Sequence, residues 1–211
     1  MTEFVLKPFP PVSENKNQTV INLYGGPGSG KSTTRALLFG LLKLRGMNVE
    51  EAPEFAKELT WEQRVRMLSE QDFIFAEQHR RIRILTGHSI DAVITDCPLN
   101  LGLIYTPGDY FINFPKLVSE VYNSYNNVNV FIKRVKPYNP KGRNQNEADA
   151  KVKDRDCLKM LWTHGLKFYV VDGDDQAPSK IAAALYDSGE LKYINTINHA
   201  SVDEVVDLAL N

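Results

Sequence analysis

Cysteine is scarce in this chain: only Cys97 and Cys157 occur among 211 residues, with no Cys-x-x-Cys pair and no clustered histidines. Neither a disulfide framework nor a zinc site is indicated. Long apolar runs are also missing. The longest, Ala36 to Leu42, stops at Lys43, far short of the roughly 20 residues that a membrane span needs. No excess of one charge exists either: 25 basic residues face 26 acidic ones, a net charge of −1. Without an overall positive field to draw nucleic acid, any basic function must be local. No secretory signal is expected either, because Glu3 stands where a basic flank belongs and Pro8, Pro10 and Pro11 interrupt the place of an apolar helix. The expectation is a reduced, cytoplasmic protein, in the host cytoplasm if viral, with no membrane partner.

What is present is a globular composition, 43% hydrophobic and 24% charged, in a length suited to one α/β domain. Residues 1 to 18 read as an N-terminal leader and 19 to 211 as a single domain. Thr19 to Tyr24 is a β-rich run that stops at a glycine cluster, and Ser32 to Arg45 carries helical spacing ended by Gly46. Met47 to Glu50 is a short strand candidate. The capping-box pattern Thr60-Trp61-Glu62-Gln63 predicts a long helix reaching about Leu85. Ala92 to Thr95 is a β-branched run leading into Asp96, and Val128 to Ile132 another. Helices are expected over 111 to 125, 147 to 162 and 179 to 186, a strand over 166 to 171, and a last helix opened by Ser201-Val202-Asp203-Glu204. This alternation predicts a three-layer sandwich: a mainly parallel sheet of about five strands, helices on both faces, and a site at the strands' C-terminal ends.

Gly25-Gly26-Pro27-Gly28-Ser29-Gly30-Lys31-Ser32 satisfies the P-loop pattern G-x-x-x-x-G-K-[ST], which arises by chance in roughly one chain in a hundred. A strand before it and a helix after it would let backbone N–H groups converge on a phosphate. In that setting Lys31 supplies charge for the β- and γ-phosphates of ATP, Ser32 is placed to ligate Mg²⁺, and Thr33 lies in the same first turn. Asp96 stands where a Walker-B-like acid near the metal belongs; its alternative role is a helix N-cap.

The P-loop, the acid in Ala52-Pro53-Glu54-Phe55-Ala56-Lys57, the helix Phe73 to Arg81 and Thr95-Asp96-Cys97-Pro98-Leu99 occur in the order seen in P-loop nucleoside and nucleotide kinases. The chain most resembles the nicotinamide riboside kinase type and small kinase-like ATPases of bacteriophages, and more loosely the deoxynucleoside kinases, over about residues 19 to 186. The resemblance implies the P-loop NTPase fold, and by the deoxynucleoside kinase pattern it makes Glu54 the carboxylate facing the acceptor hydroxyl. It makes Gln78 the nearest match to a base-reading amide, with Gln71 as second candidate. Asp96-Cys97 departs from the acid followed by Arg of the deoxynucleoside kinases.

Phosphoryl transfer calls for a carboxylate that orients the acceptor hydroxyl and takes its proton, and Glu54 is the first choice, with Glu50 and Glu51 as competitors. Lys133, Arg134, Lys136, Lys141 and Arg143 form an acid-free basic segment, which the resemblance to P-loop kinases makes a lid over about 133 to 146, with Arg134 and Arg143 favoured over the lysines as phosphate contacts. Arg81, beside Arg80 and Arg83, and Tyr105, near Tyr110, Phe111 and Phe114, are further acceptor-binding candidates. The reading is an ATP- and Mg²⁺-dependent kinase acting on a nucleoside- or nucleotide-like acceptor. The alternatives are a kinase acting on a hydroxymethylated base in phage DNA, and a P-loop switch without an acceptor.

Overall fold

The computed structural model describes residues 12 to 139, 146 to 187, 189 and 191 to 211. Six strands form one sheet: β1 (Thr19–Tyr24), β2 (Val49–Ala52), β3 (Ala92–Thr95), β4 (Asn126–Lys133), β5 (Lys167–Asp172) and β6 (Lys192–Asn195). Their spatial order is β2-β3-β1-β4-β5-β6. The first five are parallel, and β6 pairs antiparallel with β5, Phe168 lying opposite Ile194. The sixth strand corrects the expected five. Its sequence, Lys-Tyr-Ile-Asn, holds one buried residue, too little pattern to mark a strand before its partner is known.

Strand alternation divides the core. Ile21 and Leu23 of β1 point to the face covered by α1 (Lys31–Leu44) and α6 (Ala177–Tyr186), where Leu38, Leu42 and Ile181 meet them. Val20 and Tyr24 point to the other face, against α3 (Gln71–Arg83), α4 (Phe114–Ser124), α5 (Glu147–Thr163) and α7 (Val202–Leu210). The result is a three-layer α/β sandwich whose central strands are buried on both faces, as parallel strands with crossover helices must be. From β1 the chain crosses to β2 on one side, and after β3 it crosses to β4 on the other, so β1 is the switch point of the sheet. A crevice opens at such a point beyond the strands' C-terminal ends.

The long helix expected from Thr60 is a correction. The Thr60 hydroxyl bonds back to the Ala56 carbonyl at 3.2 Å, within α2 (Phe55–Trp61), so it is unavailable as a cap. Gln63 then turns the chain with φ +60, and α3 starts only at Gln71. Ser201 does cap α7, accepting the Glu204 N–H at 3.3 Å. Asn146 caps α5 reciprocally with Asp149. Of the leader, residues 12 to 17 form a 3₁₀ turn held to α4 through Asn15 and Ser124, 2.9 Å apart. No helix among the described residues is long and apolar enough to cross a membrane.

Candidate functional site

Residues 25 to 30 leave β1 and swing into α1 as a loop that takes positive φ at Gly25, Gly28 and Gly30, where glycine is favoured. Gly30 is the N-cap of α1 at φ +113, and no side chain caps that end. A Cβ on Gly26 would lie 2.4 Å from the Ala150 carbonyl, so α5 packs directly on the loop. The first-turn N–H groups of α1 therefore face outward with the helix dipole's positive end, a setting that favours an anion. Lys31 folds over the loop and donates to the carbonyls of Gly25 (2.6 Å) and Gly26 (3.0 Å). The Ser29 hydroxyl is buried without a partner.

A cavity of about 340 Å³ runs from this loop across the end of the sheet. Pro27, Gly28, Gly30, Lys31, Ser32 and Thr33 line one end, and Trp61, Leu68, Gln71, Ile74, Leu101 and Tyr105 the other, with Glu54, Lys57 and Cys97 between them. The break between α2 and α3 shapes the far end, since Trp61 at the end of α2 and Leu68 in the turn before α3 both line it. Tyr105 is fixed there by Lys153, whose ammonium lies 4.9 Å from the ring centre and donates to the Ile104 carbonyl at 2.8 Å.

Glu54 is the N-cap of α2, yet its side chain makes no cap bond and faces the cavity. Its carboxyl is held above the usual carboxylate range, chiefly by burial and further by Asp96, against the opposing charge of Lys31. Asp96 is buried. Its Oδ1 accepts from Arg35 at 3.1 Å and from the Glu54 N–H at 3.2 Å, and Pro98 rather than Asp96 caps the turn that follows. Asp96 therefore steadies the backbone that carries Glu54. Glu50 and Glu51 leave the competition because both lie within β2, paired with Lys43 and Arg35 respectively at 2.9 Å.

Gln78 and Arg81, both expected to bind the acceptor, do not line the cavity. Gln78 is buried behind β2 and β3, where its amide accepts from the Phe55 N–H (3.0 Å) and donates to the Ala52 carbonyl (3.3 Å) and the Thr95 hydroxyl (3.3 Å). Its donors and acceptor are spent on the backbone that launches α2. Gln71, the second candidate, does line the cavity. Arg81 is likewise occupied, donating to Glu58 (2.7 Å) and the Pro53 carbonyl (3.3 Å) and stacking 5.2 Å above Phe55. Tyr110 and Phe114 pack with Phe75 in the core, whereas Phe111 is exposed.

Arg134 lies against the glycine loop, its Nη2 donating to the Pro27 carbonyl at 2.9 Å. Arg143 and Lys141 lie outside the described residues, as does the lid's middle. The residues to which the sequence reading gave no site role are Arg35, Lys57, Trp61 and Asp154. Only Arg35 had a signal: four residues after Lys31, it shares that side of α1.

Among the described residues no three His, Cys, Asp or Glu side chains gather as a metal cluster. Of the two residues expected at a metal, Ser32 lines the cavity, whereas Asp96 does not and has its Oδ1 engaged by Arg35 and the Glu54 N–H. No protein-family model matches the chain, and no curated protein matches it. Among solved structures, a protein called APE1195 is 19% identical over 72% of this chain and 77% of its own, at a TM-score of 0.31, a likeness too slight to carry any argument.

Proposed function

We propose that the protein is a Mg²⁺- and ATP-dependent phosphotransferase of the P-loop kind, acting on a hydroxyl of a nucleoside- or nucleotide-like acceptor. The observation that carries this reading is that one cavity joins the anion-suited glycine loop to Glu54, whose carboxyl burial holds above its ordinary range. In this reading the loop N–H groups and Lys31 bind and orient the phosphates, Lys31 leaving the loop carbonyls for phosphate oxygens. Bound Mg²⁺ supplies charge neutralisation on the phosphates. Glu54 accepts the proton of the acceptor hydroxyl, for which a raised carboxyl suits neutral pH better than an ordinary one. Trp61 and Tyr105 offer flat surfaces to a ring, and Gln71 an amide for its edge.

The test is a transfer screen with γ-labelled ATP and Mg²⁺ across nucleosides, nucleoside monophosphates, nicotinamide riboside and hydroxymethylated DNA. Label on a small ring-bearing acceptor is expected. Label on DNA alone would move the acceptor into a polymer, and release of free phosphate regardless of acceptor would overturn the transfer reading.

A further inference from the structure

Nothing in the sequence distinguishes Asp154 from the three other acids of α5, yet it is buried to 4% exposure directly against the glycine loop. Its Oδ1 accepts the Gly26 N–H at 2.6 Å. The same carboxylate holds Arg134, whose Nε meets Oδ2 at 3.0 Å and whose Nη2 lies 3.4 Å from Oδ1. With Nη2 also on the Pro27 carbonyl, the guanidinium is fixed at three points. The remaining nitrogen, Nη1, is buried and without a hydrogen-bond partner. It lies beside Gly28, where an added Cβ would be 3.2 Å away, and the Tyr138 ring faces the guanidinium, its centre 5.9 Å from the guanidinium carbon. The Arg134 side chain is 9% exposed, so Nη1 has lost its water and, beyond the ring face of Tyr138, has no hydrogen-bond acceptor in return. A buried cationic donor left in that state is costly unless a ligand completes it.

We infer that Asp154 is a positioning residue: it fixes the Gly26 peptide and holds Arg134 so that Nη1 is a preorganised donor for the terminal phosphate of a nucleoside triphosphate. The inference rests on the phosphotransferase reading and deepens it. One carboxylate sets both the loop's shape and the direction of the arginine, and the two reach the phosphate together. Preorganisation of this kind matters because a donor displaced by about 1 Å loses much of its effect on a developing charge.

The experiment needs no acceptor. Calorimetry on the full chain with Mg²⁺ compares the affinities for ADP and for a non-hydrolysable ATP analogue, in wild type, Asp154→Asn, Asp154→Glu, Arg134→Ala and the Asp154→Asn/Arg134→Ala double variant. Asp154→Asn keeps the shape and loses the charge, while Asp154→Glu keeps the charge and moves it. Both should cut the preference for the triphosphate about tenfold, with ADP affinity changed far less. The double variant should match Arg134→Ala, because the two residues act as one unit. Thermal melts separate this from a purely structural role, which would lower the melting temperature and leave the preference intact. An unchanged preference in a folded Asp154 variant, or additive losses in the double variant, would overturn the inference alone. A wild-type chain that binds neither nucleotide would overturn the underlying phosphotransferase reading and this inference with it.

Discussion

The two ends of the cavity are built by different means. The loop end comes from one short stretch of chain, Pro27 to Thr33, and presents backbone groups with Lys31, Ser32 and Thr33. The far end collects Trp61, Leu68, Gln71 and Ile74 from α2, α3 and the turn between them, and Leu101 and Tyr105 from the 3₁₀ turn that follows β3. Backbone recognition needs a particular path for the chain, which glycine spacing encodes locally. Side-chain recognition needs separate segments to arrive at one place, and that depends on every element between them. The loop end should therefore be intolerant of single changes and general in what it binds, while the far end should be tolerant and selective.

Lys31→Ala is the severest test of that contrast. Turnover should fall by about 10³-fold or more, with the melting temperature nearly unchanged because the ammonium lies outside the apolar core. Steady-state kinetics and a thermal melt check it, and turnover within a few-fold of wild type would dissolve the functional distinction between the ends.

Next in size is Glu54→Gln, at the junction of the two ends, expected to lower turnover about 10²-fold with ATP affinity preserved. Glu54 must be ionised to take a proton, and its carboxyl lies above the usual range. Activity should accordingly fall as pH drops through a value higher than the ordinary ~4.3, and this acid limb should vanish in the variant. A rate profile from pH 4 to 9 shows which.

A paired substitution sharpens the comparison at the far end. Trp61 is 66% exposed, so Trp61→Ala should leave stability alone while raising the acceptor's KM by about tenfold, the scale of one ring stacked on an aromatic side chain. Gln78→Ala should do the reverse, destabilising the fold by about 1–3 kcal/mol through the orphaned Phe55 N–H and its neighbours, with acceptor selectivity unchanged. If Gln78→Ala altered acceptor choice in a fully stable protein, the amide would belong to the cavity after all.

The smallest expected effect lies away from the cavity. His79 meets the Tyr125 hydroxyl at 3.0 Å, and burial lowers its pKa to about 4. The unfolded chain, titrating near 6.5, then binds a proton that the fold refuses, so stability falls as pH drops from about 6.5 toward 4. Urea midpoints at pH 7 and 5 should differ less in His79→Gln than in wild type.

Much of the architecture was legible because it is local. β1, β3, β4 and β5 are β-branched or aromatic runs, and the stop of α1 at Gly46, with φ +82, needs only neighbouring residues. The capping box at Thr60 misled because the same hydroxyl has two uses, and packing of α2 chose the bond to Ala56. β6 was missed because a four-residue edge strand gains its identity from β5.

The sequence by itself determined the alternation of strands and helices, the glycine loop and the presence of an acid shortly after β2, since each rests on backbone preference or short-range spacing. Only the tertiary structure decided that Gln71 rather than Gln78 faces the cavity, that Arg35 braces Asp96, and that Asp154 reaches Gly26 from 128 residues away. Such pairings rest on distances between segments far apart in the chain. Many acids and amides of similar local setting compete for each place, and only the packed core selects among them.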